Sequence, residues 1–184
     1  MIHDQRWEKM PRGELRQYQV ERLQATLNRV YRNVAFYKRL FDEHKVDPSG
    51  VKDLGALARI PFTTKDDLRD NYPFGMFAVP LRDVVRIQST SGTTGKAIGI
   101  GYTANDLRHW SELVARVLSA AGVTRQDTVQ IAFQYSLFTG GFGFHQGAER
   151  LGASVIPASS SAPLERQVEI MRDFKSTVLI ATPG

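Results

Sequence analysis

The sequence predicts an α/β fold: a helical N-terminal region followed by the first part of a mixed or parallel β-sheet with crossover helices. Up to about residue 75, apolar side chains recur at helical spacing. Beyond residue 80 the pattern changes to short apolar runs bounded by turn residues. Three of those runs, at 129–133, 153–157 and 177–181, begin 24 residues apart with helical patterns between them. Strand–helix–strand repetition at that pitch predicts parallel pairing through right-handed crossovers. The expected organisation is a helical region over 1–75 and the first part of an α/β domain over 76–184.

Taken in order, Leu23, Leu27, Val30 and Tyr31 form one apolar stripe, and Phe36, Tyr37, Leu40, Phe41 and His44 repeat the spacing. Asp47-Pro48 is expected to end that run, because proline cannot continue a helix. A short helix over 53–59 and another opened by Thr64 complete the region, with 71–80 as its exit. Strands are expected at 84–87 and 98–102. Thr103, with Asp106 in the first turn, caps a helix whose apolar face is Leu107, Trp110, Val114, Val117, Leu118 and Ala121, and Gly122 stops it. The remaining helices are expected at 144–151 and 163–174, the second with Pro163 at its first position.

Composition narrows the function. The chain has 184 residues, no cysteine and a formal charge of +5. Disulfides, thiolate metal sites and cysteine nucleophiles are therefore excluded. Residues 1–72 carry 14 basic and 11 acidic side chains and the rest 10 and 8, so no basic stripe points to nucleic acid. No run approaches the ~18 apolar residues of a membrane span, and no signal-peptide core is visible. A cytoplasmic protein is the expectation.

The segment Ser89-Thr90-Ser91-Gly92-Thr93-Thr94-Gly95-Lys96 lies between two expected strands. Its glycines let backbone N–H groups approach a polyphosphate, its hydroxyls donate to phosphate oxygens, and its lysine supplies charge. A polar hairpin with no ligand is the competing reading. A Walker A loop fails twice, with Thr90 where a glycine belongs and Ala97 where a hydroxyl belongs.

Residues 133–145 hold five aromatic rings, three glycines and a histidine after an expected buried strand. At the carboxyl end of a parallel strand they could wall a flat apolar ligand. Tyr135 and Phe138 stand equally as pocket or core, Phe142 comes next, and Phe144 leans to core. His145 reads as a structural histidine rather than a catalytic base. No G-x-S-x-G or H-E-x-x-H pattern occurs, G-x-G-x-x-G fails at Gln146, and Ser159-Ser160-Ser161 reads as a loop and helix-cap cluster. No catalytic residue and no metal ligand is expected within the chain.

Thr90–Gly95, read as [ST]-S-G-T-T-G, resembles the phosphate-binding loop of the adenylate-forming superfamily of acyl-CoA synthetases. Tyr31–Tyr37 (YRNVAFY), Pro61–Leu68 (PFTTKDDL), Asn71–Gly75 (NYPFG), Leu137–Gly141 (LFTGG), Gly143–His145 (GFH) and Gly147–Ala153 (GAERLGA) resemble phenylacetate–CoA ligases. The resemblance runs from about residue 6 to the end. It implies an adenylate-forming fold, with phenylacetate and ATP giving an acyl-adenylate and pyrophosphate, and coenzyme A then displacing AMP. By motif position it assigns Thr90, Ser91, Gly92, Thr93, Thr94 and Gly95 to the β- and γ-phosphates, with Lys96 assisting. It places the aryl-acid pocket at Tyr135, Phe138, Gly140, Gly141 and Phe142. The superfamily's usual Pro-Lys after the loop is replaced by Ala97-Ile98, a departure common in the phenylacetate branch. The resembled family has a longer chain, whose remainder carries the Mg²⁺ ligand, most coenzyme A contacts and the adenylation lysine. This chain is therefore expected to be an N-terminal fragment, inactive alone, of an enzyme whose homodimerisation is possible. The alternatives are an adenylating enzyme for another acid, one resembling coenzyme F390 synthetases, or a non-catalytic binding module that keeps the fold.

Overall fold

A computed structural model describes residues 2–90, 97–137 and 139–182. Ser91 to Lys96 and Phe138, all among the expected site residues, lie outside the described residues. The chain divides into two units, one over 9–101 and the other joining 2–8 to 102–184. This division after residue 101 and the compositional change near residue 75 are different boundaries. A single turn, α1 (Gln5–Glu8), belongs with the second unit. His3 Nε2 lies 2.9 Å from Glu112 Oε1, and Arg116 Nε 3.4 Å from Glu8 Oε1.

In the first unit the two apolar stripes become two helices, α2 (Arg12–Asn33) and α3 (Ala35–Glu43), divided at Val34 in extended conformation. Leu27, Phe41, Val51 and Ala56 make the buried centre, against which Leu23, Val30, Tyr31, Tyr37 and Leu40 pack. Pro48 does not end α3. That helix ends at Glu43, and just beyond it Lys45 takes φ 53° and Val46 N–H donates to Phe41 O at 2.9 Å. This left-handed closure satisfies the last-turn carbonyls. Pro48 instead begins a 3₁₀ turn, Pro48–Gly50, capped by Asp47. The expected helix at 53–59 is a 3₁₀ helix, Leu54–Arg59. Thr64 opens α4 (Lys65–Asp70) with a full capping box to Asp67. The strands β1 (Val84–Ser89) and β2 (Gly99–Thr103) pair in a two-stranded sheet.

The second unit continues with α5 (Ala104–Ala120), β3 (Thr128–Ile131), α6 (Gly140–Leu151), β4 (Ser154–Ile156), α7 (Leu164–Asp173) and β5 (Val178–Ile180). Thr103 caps α5 in a capping box with Asp106, and Gly122 at φ 96° ends it, as expected. Pro163 sits one place before α7 rather than inside it. The strands form a parallel sheet in the order β4-β3-β5, with Val129 opposite both Val155 and Val178. β3 is central and so is paired along both edges, and the burial of the consecutive residues Val129, Gln130 and Ile131 shows that both its faces are covered. Val129 and Ile131 are fully buried and pack with Leu118, Val123, Ala148 and Ala153.

The buried face of α5 differs from the expected one. Val117 is 60% exposed and Ala121 is exposed, while Ala115, Leu118 and Ser119 are buried. The reason is α6, which crosses α5 very closely at Gly143 and Gly147. A Cβ on Gly143 would lie 2.7 Å from Trp110 Cζ2, and one on Gly147 only 2.4 Å from Val114 Cγ1. That contact rotates α5 toward its Trp110, Val114 and Ala115 side.

Candidate functional site

The parallel sheet sets where a site can form. β3, β4 and β5 end at Ile131, Ile156 and Ile180, so their following segments emerge at one edge. Ala132 N–H donates to Ile180 O at 2.8 Å and Ser159 N–H to Ile131 O at 3.0 Å, which holds these segments together just beyond the strands. Between them lies a cavity of about 420 Å³, lined by Phe133, Gln134, Thr139, Gly140, Ser160 and Thr182 among others. The carboxyl edge of a parallel sheet is the general place for ligands in such folds.

The floor of this edge is polar and ordered. Gln130, in the middle of β3, is fully buried. Its Nε2 donates to Gln167 Oε1 at 2.8 Å and Gln167 O at 3.1 Å, and its Oε1 accepts from Ser176 Oγ at 2.9 Å. Gln167 Nε2 in turn donates to Ser159 O at 2.5 Å. A buried amide satisfied on both ends fixes its neighbours, since leaving either end unpaired carries a desolvation penalty. The network ties α7 and the segment after β4 to the central strand.

Of the described residues expected in the acid pocket, only Gly140 is in the lining of this cavity, and Tyr135, Gly141 and Phe142 are not. Gly140 lines the cavity, and its α-carbon stands so near Phe133 that a Cβ would lie 3.0 Å from Cδ1. At Gly141 a Cβ would lie 2.9 Å from Gln134 O and 3.4 Å from Tyr135 Cδ1. Only a glycine lets the helix start this close to the segment leaving β3. The helix is longer than the sequence pattern indicates: it begins at Gly140, so Gly140, Gly141 and Phe142 form its first turn. First-turn N–H groups lack intrahelical partners and favour negative charge nearby. Tyr135 meets Phe142 edge to face, with centroids 5.4 Å apart at 87°. Phe144 packs on Phe133 and belongs with the core cluster.

Two side chains outside the expected set form a hydrogen-bonded chain with Tyr135. Tyr135 Oη lies 3.1 Å from His145 Nδ1, and His145 Nε2 lies 3.0 Å from Glu149 Oε1. Burial, with a smaller contribution from the Glu149 charge, pushes the Tyr135 phenol up to about 12. His145 is thus a hydrogen-bonded histidine, and Glu149 is its partner one helical turn on. Ser160 lines the cavity, and Ser159, at φ 61°, supplies the carbonyl that Gln167 holds.

The expected phosphate loop is described only at its neck. Thr90 N–H donates to Ile98 O at 3.2 Å, and Ile98 N–H donates to Thr90 Oγ1 at 3.1 Å. The first hydroxyl of the loop is therefore an acceptor that closes it, with its own O–H still able to donate. Among the described residues no group of three or more His, Asp or Glu side chains could hold a metal ion. No helix among them is long and apolar enough to cross a membrane.

Comparison with known proteins gives a consistent result. No protein-family model matches the chain. It is 50% identical over all 184 residues to a phenylacetate–coenzyme A ligase of Thermus thermophilus, covering 41% of that protein. It is 50% identical over 171 residues to the Escherichia coli phenylacetate–coenzyme A ligase, covering 39%, and 48% identical over 177 residues to that of Aromatoleum evansii, covering 40%. The chain thus spans about two fifths of the length of the curated relatives it matches. Among solved structures, 2-hydroxyisobutyryl-CoA ligase in complex with 2-HIB-AMP and CoA superimposes over 95% of the chain. Its open conformation gives a TM-score of 0.86 at 31% identity, and its thioesterification state 0.87 at 32%, with 42% and 38% of those chains covered.

Proposed function

We propose that this chain, which belongs to the phenylacetate–coenzyme A ligase family, supplies the acid pocket and phosphate loop of an ATP-dependent aryl-acid–CoA ligase. The observation that carries this reading is the identity near 50% along the whole chain to ligases of that name. The cavity at the carboxyl edge of the sheet, with Gly140 in its lining and Tyr135 and Phe142 beside it, supports it.

In the proposed first step a carboxylate oxygen of phenylacetate attacks the α-phosphorus of ATP. The bond to the bridging oxygen breaks, and pyrophosphate leaves with that electron pair. In the second step the thiol sulfur of coenzyme A attacks the acyl carbon, AMP leaves, and the thiol proton is lost. Tyr135, Phe138 and Phe142 would flank the aryl ring, while Gly140 and Gly141 leave room for it. The first-turn N–H groups of α6 give the acid's carboxylate a favourable electrostatic setting before it attacks. Thr90, Ser91, Gly92, Thr93, Thr94, Gly95 and Lys96 would hold the β- and γ-phosphates, offsetting the charge that builds on the leaving group. ATP and coenzyme A are co-substrates on this reading. The described residues offer no Mg²⁺ ligand set, so no step is assigned to that ion. The reading places the enzyme in the cytoplasm, in the breakdown of phenylacetate.

The test is acid-dependent ATP–pyrophosphate exchange by the gene product that carries these residues, with the 184-residue chain run beside it. Exchange with phenylacetate, well above that with 2-hydroxyisobutyrate, and none from the 184-residue chain alone, is the expected result. No exchange across a panel of aryl and aliphatic acids would overturn the reading.

A further inference from the structure

The hydrogen bonds around Tyr135 run in a single direction. The Glu149 carboxylate can only accept, so the proton of the neutral His145 ring sits on Nε2, 3.0 Å from Glu149 Oε1. That leaves the Nδ1 lone pair to accept the Tyr135 O–H at 3.1 Å. His145 and Glu149 are one turn apart on α6, which begins at the cavity. Tyr135 follows Phe133 and Gln134, which line the cavity. Two edge contacts hold its ring, Phe142 at 5.4 Å and 87° and His145 at 5.8 Å and 90°. An aromatic ring with its hydroxyl and edge both engaged has little rotamer freedom left.

We propose that His145, oriented by Glu149, is a positioning residue that pins the Tyr135 hydroxyl, so that Tyr135 meets the acid with its ring and not with its O–H. The proposal rests on the reading of Tyr135 as a wall of the acid pocket, and it adds a determinant of specificity. With the phenol occupied, the pocket favours an unsubstituted aryl ring over one needing a hydrogen-bond partner at that wall. Because the contact is made equally with bound acid and with the transition state, its loss appears in KM rather than kcat.

The experiment has two arms. In the kinetic arm, on the gene product that carries these residues, His145→Leu is expected to raise KM for phenylacetate about tenfold with kcat within about twofold, the scale of one lost hydrogen bond and its ordering. His145→Asn, whose amide oxygen can accept in place of Nδ1, is expected to recover most of the loss. Tyr135→Phe combined with His145→Leu should be no worse than the poorer single variant, because both remove one interaction. An unchanged KM in His145→Leu, no recovery in His145→Asn, or additive effects in the pair would overturn the proposal. In the second arm, imidazole ¹⁵N NMR of the wild type and of Tyr135→Phe needs no acid. An unprotonated Nδ1 whose signal moves when the phenol is removed is expected, and a proton on Nδ1 would overturn the pin. A wild type that activates no acid would sink the functional reading while leaving this second arm to decide the pin. The same arm decides if His145→Leu fails to fold.

Discussion

Gly147 offers the sharpest test of how the second unit is packed. Replacing it with alanine places a Cβ 2.4 Å from Val114 Cγ1, 2.6 Å from Val114 Cβ and 3.1 Å from the Ala115 backbone nitrogen. Rotating Val114 can move Cγ1, but its Cβ and the Ala115 nitrogen move only if α5 itself moves. Overpacking of this kind costs about 1–3 kcal/mol, and contacts to atoms fixed on the backbone put Gly147→Ala at or above the upper end. Against that, alanine in a helix interior gains about 1 kcal/mol over glycine. The net expectation is a loss of about 2 kcal/mol, or about 1 M in the urea midpoint for a slope of about 2 kcal/mol per M. Both tryptophans, Trp7 and Trp110, belong to the second unit, so their fluorescence follows its unfolding. Adding Val114→Ala removes the clashing methyl groups, and the double variant should be more stable than the sum of the single effects by about 1 kcal/mol. A Gly147→Ala protein as stable as the wild type would refute the close approach of α5 and α6, and with it the account of why Val117 faces solvent.

Two further outcomes are expected. Gln130→Leu strands Gln167 Oε1 and Ser176 Oγ without their buried partner and should lower stability by about 1–3 kcal/mol, measured by the same urea titration; an unchanged midpoint would show that the network is replaceable by packing. Asp127 is held below the usual carboxylate range, chiefly by the Thr124 backbone N–H, then by the Thr177 and Thr124 hydroxyls. Its folded pKa is depressed, so its contribution is fully present above the unfolded value of about 3.9 and is lost as the pH falls through the folded one. The urea midpoint should therefore fall on acidification in that window, less steeply in Asp127→Asn, and equal slopes in the two proteins would count against it.

Much of the architecture is local and was legible for that reason. The capping boxes at Thr64 and Thr103 depend on residues three apart, and the stop at Gly122 on one glycine's tolerance of positive φ. The three parallel strands showed as apolar runs because β3 is covered on both faces and its neighbours pack against it. The end of α3 did not show, since a lysine, not a glycine, takes the left-handed position, and the later proline looked like the stop. Of the expected pocket residues, Gly140, Gly141, Phe142 and Tyr135 stand out by type and by their place after a strand, whereas the pairing of His145 with Glu149 is not legible in the sequence, where His145 reads as a structural histidine. What the spacing could not say was that the Tyr135 hydroxyl turns back onto His145.

Sequence by itself determined the helix caps, the alternation of strands and helices, and the residue types gathered after β3, because each rests on interactions within a few residues. Tertiary structure decided which face of α5 is buried, since that follows from how near two glycines let α6 come. It also decided that Gln130 finds Gln167 and Ser176, residues 37 and 46 positions away, because a buried amide takes whichever partners the folded sheet and helix bring within hydrogen-bond reach.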